Sequence, residues 1–117
     1  MSFIATVSAQ RTTDGQLGEH TPKPTALTDG LTEASVSIWG NGRIDTGLWE
    51  CTPGSFTAER MGYTEICTIL SGTVTITQDG AEPTPFAPGD VIVMPSGWVG
   101  TWEVHEPLRK HYTIIPD

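Results

Sequence analysis

From Glu33 onward, glycine, proline, asparagine and aspartate interrupt the chain about every ten residues, a rhythm that suits strands joined by turns and leaves little room for helices. With 13 glycines and 9 prolines in 117 residues, most windows long enough to hold a helix contain a breaker. Between the breaks lie short runs rich in Val, Ile, Thr and Trp, residue types that suit a pleated, half-buried surface. In EASVSIW, Ala34, Val36 and Ile38 share one face of a strand, and Asn41-Gly42 predicts a tight hairpin with φ > 0 central residues leading into RIDTGLWEC. SFTAER follows Pro53-Gly54, TEICTIL and GTVTITQ meet at Gly72, and Asp79-Gly80 turns the chain into EPTPFAPGD. The prolines of that last segment assign it to a sheet edge or a loop. DVIVM reads as a strand buried on both faces, and VGTWEV and RKHYTII complete an all-β set that closes as a sandwich or small barrel.

Residues 1–32 are polar and turn-rich, with little to fill a core, and are expected to form an arm on one domain spanning 33–117. Six basic against fourteen acidic side chains give a formal charge of −8, which opposes binding to nucleic acid or to an anionic membrane. The first basic residue is Arg11 and the apolar run FIATV is short, so a soluble, cytoplasmic protein is expected. Cys51 and Cys67 form no CxxC pair, which points to buried thiols in place of a zinc knuckle or a redox motif.

Two segments carry a resemblance to a known family. GYTEICTILSG places Glu65 and Gly72 as the end of a G(X)5HXH(X)3,4E(X)6G pattern, and GDVIVMPSGWVGTWEV places Gly89, Pro95 and Gly97 as G(X)5PXG(X)2H(X)3N. These are the two motifs of the cupins, and with GLWECTPGSF and PLRKHYTI the chain resembles the small single-domain cupins grouped with the (S)-ureidoglycine aminohydrolase cupin domain. The resemblance covers about residues 33 to 115 and implies a double-stranded β-helix, or jelly-roll barrel. It also implies a metal site, but the histidine positions hold other residues. They fall on Ala58 and Arg60, or on Glu59 and Met61 in the shorter spacing; the third falls on Gly100, and the motif's asparagine on Val104. Of the usual ligands only Glu65 remains, so no metal cofactor is expected.

Strand alternation then sketches a site. If position 100 faces inward, as the resemblance implies, so do Trp102 and Val104; Glu65 inward brings Cys67 and Ile69, with Phe56, Ala58 and Arg60 on the adjoining wall. On the last strand Arg109, His111 and Thr113 are expected inward, against Lys110, Tyr112 and Ile114. Glu65 is then a proton donor, a base or half of an ion pair with Arg60, and His111 is either its proton-transfer partner or a hydrogen-bonded core residue. Trp98 is a candidate ligand or subunit contact at the turn mouth, Trp102 a core residue that is also a candidate ligand contact, Cys67 a ligand contact, a nucleophile or an inert thiol, Arg60 a ligand contact, and Met61 and Met94 gap fillers. The expected function is binding of a small polar metabolite in the barrel, with or without metal-independent proton transfer. The alternatives are a metal-dependent aminohydrolase-like enzyme and a non-enzymatic sensor or accessory subunit. A homodimer is expected, because pairing between protomers removes exposed strand edges.

Overall fold

The computed structural model describes residues 4–6, 15 and 17–117, so the first part of the expected arm lies outside the described residues. Among the described residues no helix forms, and ten strands account for the regular structure. They are β1 (Thr21–Pro22), β2 (Thr32–Gly40), β3 (Asp45–Cys51), β4 (Gly54–Arg60), β5 (Tyr63–Ser71), β6 (Val74–Gln78), β7 (Thr84–Phe86), β8 (Val91–Met94), β9 (Trp98–Val104) and β10 (Leu108–Pro116). One sheet has the order β1-β2-β3-β10-β5-β8 and the other β4-β9-β6-β7. Every pairing is antiparallel, and the two sheets face each other across a shared apolar core, as expected of a jelly roll.

The layers meet on alternate residues of each strand, because successive side chains point to opposite faces. Trp49, Cys51, Phe56, Cys67, Ile69, Ile76, Met94, Trp102 and Leu108 fill the space between them. Trp102 has no exposed surface and contacts two aromatic neighbours, Phe56 stacked at 5.7 Å and Trp49 edge-on at 6.2 Å between ring centroids. Each such pair is worth about 0.5–1.5 kcal/mol beyond the area it buries.

Two places differ from expectation, β8 and Met61, and the shared face of β2 agrees with it. Val91 and Val93 are 62% and 55% exposed while Ile92 and Met94 are buried, so β8 is an edge strand covered on one face only. Ala34, Val36 and Ile38 do share a face, but it is the outer one, where they join Leu17 and Leu48 in a second, smaller apolar cluster. Met61 is exposed at a turn and fills no gap, whereas Met94 does.

The turns follow the sequence closely. At the β2–β3 hairpin only Gly42 takes a positive φ (85°); Asn41 instead accepts backbone N–H bonds from Arg43 and Ile44 through its side chain. The EPTPFAPGD segment supplies β7, an edge strand of the four-stranded sheet, in keeping with its prolines. Residues 20–31 cross between the sheets: β1 pairs with β2 in one, and Ala26 bridges to Phe56 of the other. Leu31 of this segment is buried, as is Leu17 just before it.

Candidate functional site

A cavity of about 330 Å³ opens between the sheets, walled by Trp49, Phe56 and Ala58 and edged by Lys23 and Thr25 of the crossing segment. Four strands bring its charged groups together. β4 supplies Arg60, β5 Glu65, β3 Asp45, and β10 Lys110 and Tyr112.

At its centre is a buried ionic triad. Lys110 Nζ donates to Glu65 Oε2 at 2.7 Å, and Arg60 Nε lies 3.3 Å from Glu65 Oε1 in a contact that is not aligned as a hydrogen bond. Arg60 Nη1 donates to the Glu59 carbonyl, and its buried Nε–H has no aligned acceptor. The Lys110 ammonium stands 4.6 Å from the centroid of the Trp49 ring and 4.7 Å from that of Trp102, close enough for both indoles to stabilise its charge. Burial alone would push the Glu65 carboxyl up, but the charges of Lys110 and Arg60, with hydrogen bonds from Lys110 and Cys67, outweigh it and hold the group below its ordinary value. Glu65 is therefore ionised at neutral pH and is half of an ion pair, with no proton to give.

This shift carries a pH signature. Because the folded-state value is depressed, the stability contributed by Glu65 is complete above its ordinary value near 4.5 and is lost as the pH falls through the lower folded value. A thermal-midpoint titration of the wild type should fall steeply below pH 4.5, and that of Glu65→Gln less steeply. Equal acid slopes would contradict the ion pair.

Lys110 occupies the place expected for His111. In register, Lys110 pairs with Trp49 and Tyr112 with Gly47, so Leu108, Lys110, Tyr112 and Ile114 face the interior. His111 lies on the outer face, where its Nε2 is 2.8 Å from Thr46 Oγ1. Arg109 is also on that side, ion-paired with Glu50, which is in turn 2.5 Å from His20 Nε2. The apolar residues Leu108, Tyr112 and Ile114 are the signal that could have set this register; the lysine among them can be buried because Glu65 neutralises it.

The other predicted residues separate likewise. Arg60 and Glu65 are together, as expected. Cys67 neighbours Glu65, but burial pushes its thiol up to about 11, so it is an inert core residue at neutral pH. Trp102 is core. Trp98 does not line the cavity: its ring lies against Gly100, and the Arg60 guanidinium stands 6.0 Å from its centroid.

The positions of a cupin metal site are occupied here by groups that do not fit a metal. Ala58 and Gly100 face each other in register and offer no donor, and two cations surround the one carboxylate. A Cβ on Gly100 would stand 2.5 Å from the Thr77 carbonyl oxygen and 2.6 Å from the Trp98 ring, so no larger side chain fits at this position. Among the described residues, no group of three or more His, Cys, Asp or Glu could hold an ion elsewhere.

Lys23 is the second residue that sequence reading passed over. Its ammonium bonds to Glu33 Oε1 at 2.9 Å, lies 4.6 Å from the centroid of the Phe56 ring, and shares Glu33 with Trp49 Nε1.

Comparison with known proteins agrees with this architecture. The sequence profile of the EutQ-like cupin domain matches residues 40–112. The structure of the Clostridium difficile EutQ protein is similar over 74% of this chain and 70% of its own, at 22% identity and a TM-score of 0.65. A protein of unknown function from Rhizobium leguminosarum bv. viciae 3841 is 29% identical over 73% of this chain and 82% of its own, with a TM-score of 0.63. A DUF861 family protein from Thermotoga maritima is 34% identical over 56% and 73%, with a TM-score of 0.52. No functionally curated protein matches.

Proposed function

The chain belongs to the EutQ-like cupin domain family, and from that premise we propose that its barrel is a metal-independent binding cup for a small organic acid. The observation that carries this reading is the charge count of the buried triad: two cations, Arg60 and Lys110, face the cavity and share one carboxylate, Glu65. A buried cation without a counterion costs several kcal/mol, so the site gains when a ligand carboxylate completes the set. Arg60 carries five N–H donors, of which one Nη1 hydrogen goes to the Glu59 carbonyl, and Trp49 and Phe56 present apolar surface to the ligand's carbon skeleton.

Proton transfer is the weaker reading. Glu65 is held ionised by its cations, and His111 is on the far side of the sheet. An aminohydrolase-like reaction needs imidazole ligands that the barrel does not hold at Ala58, Arg60 or Gly100.

Lys110→Met tests the proposal. Methionine keeps much of the packing between the indoles, leaves Glu65 paired with Arg60, and removes the excess positive charge. In calorimetric titrations with short carboxylates from acetate to butyrate, the wild type should bind one equivalent. The variant should bind at least about 30-fold more weakly, the loss of one charge-assisted hydrogen bond of roughly 2 kcal/mol. Equal affinity in the two proteins would overturn the assignment.

A further inference from the structure

The cavity has a second pole that the anion reading does not use. Lys23 is matched by Glu33, and Arg60 and Lys110 exceed Glu65 by one positive charge. Asp45 also lines the cavity and forms no ion pair among the described residues. Ser37 Oγ donates to its Oδ1 at 2.6 Å and Tyr112 Oη to its Oδ2 at 3.1 Å. Two neutral donors orient the carboxylate without neutralising it, and a carboxylate has about four acceptor positions, so each oxygen keeps one open. Glu59, also at the cavity edge, is exposed and so screened by water.

The placement of Asp45 is built in. Tyr112 lies across Gly47, whose missing side chain leaves room for the phenol: a Cβ there would come within 2.6 Å of Tyr112 Oη and would collide with the Val36 carbonyl. Burial, then the charge of Asp45, pushes the phenol up to about 12, so it remains a donor to Asp45 throughout the physiological range. Asp45 stands opposite Ile114, four residues along β10 from Lys110, so the backbones of the two poles are about 13 Å apart along the strands and their side chains reach toward each other across one cavity.

We infer that the ligand is a zwitterionic amino acid, its carboxylate on Arg60 and Lys110 and its ammonium on Asp45, and that Asp45 sets this specificity. The inference rests on the anion reading above. A simple monocarboxylate satisfies one pole and leaves Asp45 unmatched. A dicarboxylate brings its second charge against Asp45, where like charges repel. A neutral ligand leaves both poles uncompensated. Only a ligand with both charges neutralises each pole.

Calorimetry with matched pairs decides it: glycine against acetate, β-alanine against propionate, and 4-aminobutyrate against butyrate. For at least one chain length the wild type should bind the amino acid at least about tenfold tighter than its amine-free counterpart, the coupling of one partly buried charge pair. In Asp45→Asn, which keeps an acceptor for one of the two hydroxyls and offers its NH2 to the oxygen of the other, that ratio should fall to about one while the plain carboxylate binds at least as well as before. Tyr112→Phe, which loosens Asp45 without removing its charge, should lower the ratio only in part. If the wild type binds plain carboxylates as tightly as amino acids at every length, the role of Asp45 is overturned and the anion site stands. If neither series binds, both readings fall.

Discussion

Glutamine in place of Glu65 is expected to cost the fold about 3–5 kcal/mol, because it leaves Arg60 and Lys110 buried with no counterion. In a domain of this size, that corresponds to a fall in thermal midpoint of roughly 10 °C or more. The same change should make the cavity a stronger anion site, since the internal carboxylate no longer competes for the two cations. Adding acetate should therefore raise the midpoint of Glu65→Gln by more than it raises that of the wild type. A catalytic carboxylate with no structural role gives a different pattern: unchanged stability and no anion rescue. Chemical denaturation followed by tryptophan fluorescence measures the first effect, and thermal scans over an acetate series measure the second. A Glu65→Gln protein as stable as the wild type would remove the ionic triad from the account.

The second large effect is at Gly100. Restoring a histidine at the position where a cupin holds a metal ligand should not restore a metal site, because the space has been closed from two sides. The Thr77 carbonyl comes from the neighbouring strand β6, and the Trp98 ring folds back along β9. Alanine alone should cost at least about 3 kcal/mol, the upper part of the range for forcing volume into a packed core, since one of the two obstacles is backbone. Gly100→His should be less stable still, and should leave desalting without bound manganese, zinc or iron. A stably folded Gly100→His that retains a stoichiometric metal would show that the site is merely short of a ligand.

The fold was legible because its signals are local. Turn residues, alternation and the glycine-proline spacing of GDVIVMPSG each act over a few positions, and together they specify strands and corners before any long-range contact is known. The pairing of Arg60 with Glu65 was also within reach, since both faces follow from alternation once Glu65 points inward. The orientation of β10 was harder. Both of its alternating sets contain a cation, and choosing between Lys110 and His111 depends on knowing that Glu65 and two indoles stand opposite, which is a property of four strands at once. Burying a lysine is improbable from its own chemistry and becomes reasonable only in that company. β8 misled for a related reason: an apolar run such as VIVM does not say whether its second face is covered, and here Val91 and Val93 are open. Lys23 was hidden by its setting, since a polar, proline-rich stretch gives no sign that it will cross between the sheets and edge the cavity.

The central claim is that this barrel binds a small acid through Arg60 and Lys110 with no metal. Calorimetric titration of chelator-treated, desalted protein with 4-aminobutyrate and butyrate, repeated after adding one equivalent of manganese, tests it most directly. The account predicts saturable one-to-one binding of at least one of these acids to the metal-stripped protein, with an affinity that manganese leaves unchanged. Binding that appears only after the metal is added would contradict it.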